Sequence, residues 1–155
     1  MTNTSKGTHE YVDDPRNADI LISVNGELFP REKAVVSVFD SGFILGDGVW
    51  EGLRVHHGHI VFLDRHLERL YEGARAIDMD IGLTPDELEK RLYETLEANA
   101  MHDGVHIRLM VTRGLKRTPY QDPRVNIGPA TIVIIPEYKN PKPEAATRGM
   151  KLFTV

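Results

Sequence analysis

Cysteine is absent from the 155 residues, which removes disulfide stapling, thiolate nucleophiles and cysteine-type zinc sites together. Positive charge is not in excess either: the formal net charge is −4, with acids and bases interspersed. Without a basic stripe to neutralise phosphates, a nucleic-acid partner is not expected. No run approaches the ~18 consecutive apolar residues that a membrane-spanning helix needs. The opening MTNTSKGTHEYVDDPRNAD also lacks the apolar core of a signal peptide. The expectation is a cytoplasmic protein with no membrane partner. Histidine is more plentiful, at seven, but His56, His57 and His59 fall at a turn, without the i, i+4 spacing that aims two rings at one ion. No metal site is expected.

At 41 % hydrophobic, the chain is long enough for one domain with a real core and too short for two full ones. Residues 20–24 read as a strand, Asn25-Gly26 as a hairpin turn, and 27–29 as the return strand, stopped by Pro30. Residues 34–39, mostly small or β-branched, read as a third strand. Gly42, Gly46 and Gly48 then make a tight loop of residues 40–48. His57-Gly58 turns the chain between strands at 49–56 and 59–63. Asp64 is expected to cap a helix that buries Leu67, Leu70, Tyr71, Ala74 and Ile77. Thr84-Pro85-Asp86-Glu87 is a capping box opening a second helix, with Leu88, Leu92 and Leu96 on its buried face and its end near Ala100. Residues 105–111 alternate as a strand. Residues 113–123 read as a long basic loop, and 130–135 as a central strand buried on both faces.

Strand alternation selects the candidate chemistry. In residues 49–55, Trp50, Gly52 and Arg54 share one face while Glu51, Leu53 and Val55 take the other. An aromatic, a hole and a fixed cation make a pocket wall, although periodicity alone is matched better by a half-solvated strand carrying an amphipathic Trp. By the same logic His106, Arg108 and Met110 lie opposite the apolar row of Val105, Ile107, Leu109 and Val111. An Arg in mid-strand is costly unless it meets water or an anion, so Arg108 is either a ligand contact or a rim residue. Arg69, near the start of the first helix, has the fork geometry to hold an anion through two parallel hydrogen bonds, or is a solvated surface Arg.

The segments VNGELFP, FDSGFILGDGVWEGLRV, FLDRHLERL and HIRLMVTRG, in that order, resemble the class IV aminotransferases. These are fold-type IV pyridoxal-phosphate enzymes, among them branched-chain and D-amino acid aminotransferases and aminodeoxychorismate lyase. The resemblance runs from about residue 20 to residue 155. It implies an α+β fold: the small N-terminal domain of the branched-chain and D-amino acid aminotransferases, a mostly antiparallel sheet packed by two helices. The implied division is a flexible arm at 1–18, a small α/β N-terminal domain at 19–138, and a connector with the first strand of a C-terminal domain at 139–155. Pyridoxal 5′-phosphate is the implied cofactor, an amino acid and a 2-oxo acid the implied substrates, and a homodimer the implied assembly. Arg69 matches the Arg that grips the cofactor phosphate. Trp50, Gly52 and Arg54 match positions lining the substrate pocket. Arg108 matches the residue near the substrate carboxylate in branched-chain enzymes, with His106 where those enzymes tend to carry Tyr. Arg117 lies in the loop that crosses the dimer interface and is the nearest candidate for a further carboxylate contact.

The family's Schiff-base lysine, and the carboxylate that partners the pyridine nitrogen, fall downstream of the strand that starts at Lys151. No catalytic residue is therefore expected in this chain, and the 155 residues alone are expected to be inactive. The resemblance implies part of an aminotransferase that moves an amino group from an amino acid, of branched-chain type, to a 2-oxo acid. An amine transaminase or aminodeoxychorismate lyase of the same family stays open. So does a non-catalytic dimerisation or phosphate-binding domain.

Overall fold

The computed structural model of the protein describes residues 13–139, with 147 and 149. In chain order these residues form β1 (Leu21–Val24), β2 (Glu27–Pro30), α1 (Ser41–Leu45), β3 (Gly48–His56), β4 (His59–Ile60) and α2 (Leu63–Ala76). There follow α3 (Pro85–Ala98), β5 (Val105–Thr112), β6 (Leu115–Lys116), β7 (Asn126–Ile127) and β8 (Thr131–Tyr138). Asn25 and Gly26 both have positive φ, 55° and 88°, the combination whose twist suits a two-residue hairpin between β1 and β2. Asn25 also fixes that hairpin to β8: its N–H donates to the Ile132 carbonyl at 2.8 Å, and its Oδ1 accepts from the Ile132 N–H at 2.8 Å.

The sheet is antiparallel in every pairing, in the order β2-β1-β8-β5-β3-β4. β8 lies between β1 and β5, which accounts for its continuous apolar run: Thr131 to Ile134 are all buried. In β5 the alternation is complete, with Val105, Ile107, Leu109 and Val111 each at 0 % exposure. Those four meet Leu53 and Val55 of β3, Leu67, Leu70 and Ala74 of α2, and Leu88, Leu92 and Leu96 of α3 in one core. Each such Val, Leu or Ile side chain contributes about 1.5–3 kcal/mol by leaving water. The Thr84 capping box is formed, with Thr84 Oγ1 accepting from the Glu87 N–H and Glu87 Oε2 accepting from the Thr84 N–H.

Several local expectations are corrected. Residues 34–39 are not a strand. A 3-10 turn at Arg31–Lys33 carries the chain off the end of β2, so the segment has no ladder to join, and Val35 and Val38 stay 75 % and 66 % exposed. The glycine-rich loop contains the short α1, because the Asp40 side chain accepts from the Gly42 N–H at 2.9 Å and nucleates a turn. Asp64 does not cap α2. Phe62 occupies the N-cap position, in left-handed conformation at φ 53° and with no side-chain cap hydrogen bond, leaving Asp64 inside the first turn, where its charge complements the helix dipole. Residues 113–123 are not one open loop, since β6 pairs with β7 and Lys116 is buried, its Nζ donating to Asn126 Oδ1 at 2.9 Å. From the expected arm, Asn17 exchanges two hydrogen bonds with the Tyr138 backbone, at 3.0 and 2.8 Å. The strand expected at Lys151 lies outside the described residues.

Candidate functional site

One sheet face carries the candidate residues because β3 and β5 pair with Trp50 opposite Met110, Gly52 opposite Arg108, and Arg54 opposite His106. The core lies behind the other face, so the five side chains beside Gly52 point away from α2 and α3. Arg108 reaches back across the strands and sets its guanidinium over the Trp50 ring, 4.1 Å from the ring centre. Stacking there offsets part of the cost of a half-buried cation, and the guanidinium edges make no hydrogen bond among the described residues. Trp50 itself is 63 % exposed.

Gly52 is the hole, and His106 fills it. A Cβ at Gly52 would stand 3.1 Å from His106 Nε2, tighter than ordinary contact. Burial lowers the His106 pKa, and the cations of Arg54, Lys139 and Arg108 push the same way against Glu137, so the ring is neutral at pH 7. Arg54 donates through Nη1 to the Lys139 carbonyl, which commits it to the end of β8.

Arg69 is elsewhere. It projects from α2 and grips Glu51, which belongs to the opposite face of β3 from Trp50. Nε donates to Oε1 and Nη2 to Oε2, each at 2.7 Å, while His66 Nδ1 lies 2.8 Å from Oε2. The Arg69 side chain is 69 % exposed and the Glu51 side chain 4 %. Hydrogen bonding to Arg69 holds the Glu51 carboxyl below its usual range, with burial opposing and His66 assisting. Beyond β4, which covers only Val55 and His56, the outer edge of β3 from Gly48 to Leu53 pairs with no strand among the described residues. The Arg69 fork and the Trp50–Arg108 pair therefore flank that strand from its two faces. Arg117 joins neither group: it is exposed in the β6–β7 hairpin, its N–H bonded to the Val125 carbonyl at 2.9 Å.

Two contributors, Glu51 and His66, carry no role in the sequence reading, although Glu51 is placed on the face opposite Trp50 and His66 shares a helix stripe with Arg69. The available signal was an acid in register with Leu53 and Val55, on the face those residues bury. The turn histidines meet more closely than their spacing suggests. His57 takes a left-handed φ of 48°, which swings its ring beside that of His56, with centroids 4.1 Å apart. Ligand atoms of His56, His57 and Asp103 lie within 4.8 Å of one another, all on exposed residues. Adjacent histidines at a turn can thus converge.

Residues 48–155 match the family described as Amino-transferase class IV. The chain belongs to this family.

Among class IV aminotransferase relatives, the chain is 43 % identical over 127 residues to the branched-chain-amino-acid aminotransferase-like protein 1 of Arabidopsis thaliana. That match covers 82 % of this chain and 23 % of the relative. In structure it is similar to the T.th. branched-chain amino acid aminotransferase complexed with N-(5'-phosphopyridoxyl)-L-glutamate, with a TM-score of 0.66 at 28 % identity. There 76 % of this chain covers 40 % of that one. It is also similar to 4-amino-4-deoxychorismate lyase from Pseudomonas aeruginosa, with a TM-score of 0.63 at 31 % identity, covering 81 % of this chain and 42 % of that one. The architecture is that of a class IV aminotransferase N-terminal domain, and the chain spans under half the length of these relatives. No helix among the described residues is long and apolar enough to cross a membrane.

Proposed function

We propose that this chain supplies the substrate-facing sheet and the phosphate-binding Arg of a pyridoxal-phosphate aminotransferase acting on branched-chain amino acids and 2-oxo acids. The observation that carries the reading is Arg108 stacked over Trp50 beside the filled hole at Gly52. A cation whose edges make no hydrogen bond among the described residues is suited to a carboxylate, and the exposed indole beside it is suited to an aliphatic side chain. His106, neutral and half-buried, keeps the floor between them free of a second charge.

The donor set fits the cofactor's phosphate. Arg69 uses Nε and Nη2 on Glu51, and Nη1 makes no hydrogen bond among the described residues, so an outward donor edge is available to a dianion. Pyridoxal phosphate, when bound, supplies an aldehyde that couples to amines and a ring that withdraws electrons from the substrate carbon. The residues described here bind and orient. Arg69 holds the phosphate end, Arg108 the substrate carboxylate, and Trp50 walls the pocket from water; Arg54 supports the end of β8, and Arg117 is assigned a carboxylate contact across a dimer interface. A cytoplasmic homodimer completes the reading, and the apolar surface that Val35, Val38 and Phe43 leave exposed supports the dimer.

The lyase is the second reading, favoured by the similarity to the Pseudomonas aeruginosa enzyme. Product analysis separates the two. With a branched-chain amino acid and 2-oxoglutarate, the aminotransferase yields glutamate and the matching oxo acid. Pyruvate released from aminodeoxychorismate with no amino acceptor added would overturn the aminotransferase assignment.

A further inference from the structure

Glu51 is a carboxylate where the strand pattern calls for an aliphatic residue, between Val49 and Leu53 on the face that packs α2. A buried carboxylate persists only when its oxygens are satisfied and its charge is compensated. Three donors do this: Nε and Nη2 of Arg69, and Nδ1 of His66, which must carry its proton toward the carboxylate. His66 and Arg69 stand one helical turn apart on α2, so both reach the same acid.

The asymmetry of exposure gives the arrangement its direction. Glu51 is almost sealed, while Arg69 is mostly in water. Of the five guanidinium protons, two are used on Glu51 and the second on Nη2 lies beside His66 Nδ1, 3.4 Å away, while the two on Nη1 make no hydrogen bond among the described residues and line the outward edge. A surface Arg with no such clamp would spread over many rotamers, and each bound anion would have to order it anew. Here the inner edge is already fixed.

We propose that Glu51 is a positioning residue of the phosphate site: it clamps the inner edge of the Arg69 fork so that the outer edge stands ready for a phosphate monoester dianion, with His66 holding the carboxylate from its second oxygen. The proposal rests on the assignment of Arg69 to the cofactor phosphate. Glu51 itself does not touch the ligand. Its effect passes entirely through Arg69.

The test compares dissociation constants of pyridoxal 5′-phosphate and of pyridoxal, which lacks the phosphate, for the full-length apoprotein by absorbance titration. Their ratio isolates the phosphate contact from everything else in the site. Glu51→Gln is expected to lower the preference for the phosphorylated form about tenfold, the scale of one charge-assisted hydrogen bond. In an Arg69→Ala background, Glu51→Gln is expected to change the preference no further. If Glu51→Gln weakens both ligands equally, or adds to the Arg69→Ala loss, Glu51 is only a structural ion-pair partner and the proposal is overturned. If Arg69→Ala alone leaves the ratio unchanged, the Arg69 assignment itself fails, and this inference with it. Glu51→Asp guards against loss of folding, since it keeps the charge but withdraws it from reach. It too is expected to lower the ratio, and a wild-type ratio in that variant would overturn the proposal.

Discussion

Arg108 and Trp50 form a pair in which each explains the other's exposure. A mid-strand cation needs a partner or water, and the indole face gives it the first without consuming its N–H groups. Trp50→Ala is therefore expected to change the preference among aliphatic substrates, with KM rising several-fold for larger side chains, while pyridoxal-phosphate affinity stays within about twofold. A uniform loss for all substrates would instead assign Trp50 to packing. Gly52→Ala probes the neighbouring contact. Its new Cβ meets His106 Nε2 at 3.1 Å, so the imidazole has to shift by a few tenths of an ångström. The expected result is a displaced His106 ring signal in NMR and a raised KM, with stability changed by about 1 kcal/mol or less, because the neighbour is the end of a movable side chain.

Between elements, Asp47 and Arg113 make the junction that holds the site's frame. Asp47, just before β3, accepts from Arg113 Nε at 2.7 Å and Nη2 at 3.1 Å. The same guanidinium donates to the Ile77 and Asp78 carbonyls at 2.7 and 2.6 Å, where α2 ends. One side chain thus ties the entry to β3, the exit of β5 and the last turn of α2. Asp47→Asn removes the charge and one of two acceptors at a pair only 20 % exposed. We expect a loss of about 1–3 kcal/mol in urea denaturation, the range for a charged hydrogen bond partly removed from water. A change under about 0.5 kcal/mol would mean that the junction is held by the backbone alone.

Taken across the domain, two shifted groups predict the direction of acid sensitivity. His106 has its pKa lowered by burial and by cations, so below about 6.5 the unfolded chain binds a proton that the folded chain resists. Stability is lost as pH falls from that value towards the folded pKa. Glu51 is lowered by Arg69, so its contribution is complete above the unfolded carboxylate pKa near 4.3 and is lost as pH falls through the lower folded value. The two windows follow one another in the same direction. Denaturation midpoints measured from pH 8 to pH 3 should fall in two stages, with His106→Gln flattening the upper one and Glu51→Gln the lower. An unchanged upper stage in His106→Gln would show that other histidines carry it.

The elements with strong local rules are legible in the sequence alone. A capping box, an Asn-Gly turn and a strict alternation each depend on neighbours within a few residues, so α3, the first hairpin and β5 follow from the sequence. The facing of Trp50, Gly52 and Arg54 was legible for the same reason, since side-chain alternation is a property of the strand itself. Pairing partners are a different matter. Whether residues 34–39 become a strand depends on an available edge, and whether β6 forms depends on β7, ten residues away. The acid that fixes Arg69 lies on another element, 18 positions back, and only the packing of α2 on β3 brings the two within 2.7 Å. Local chemistry chose the elements and their faces; contact between distant segments decided which charges meet.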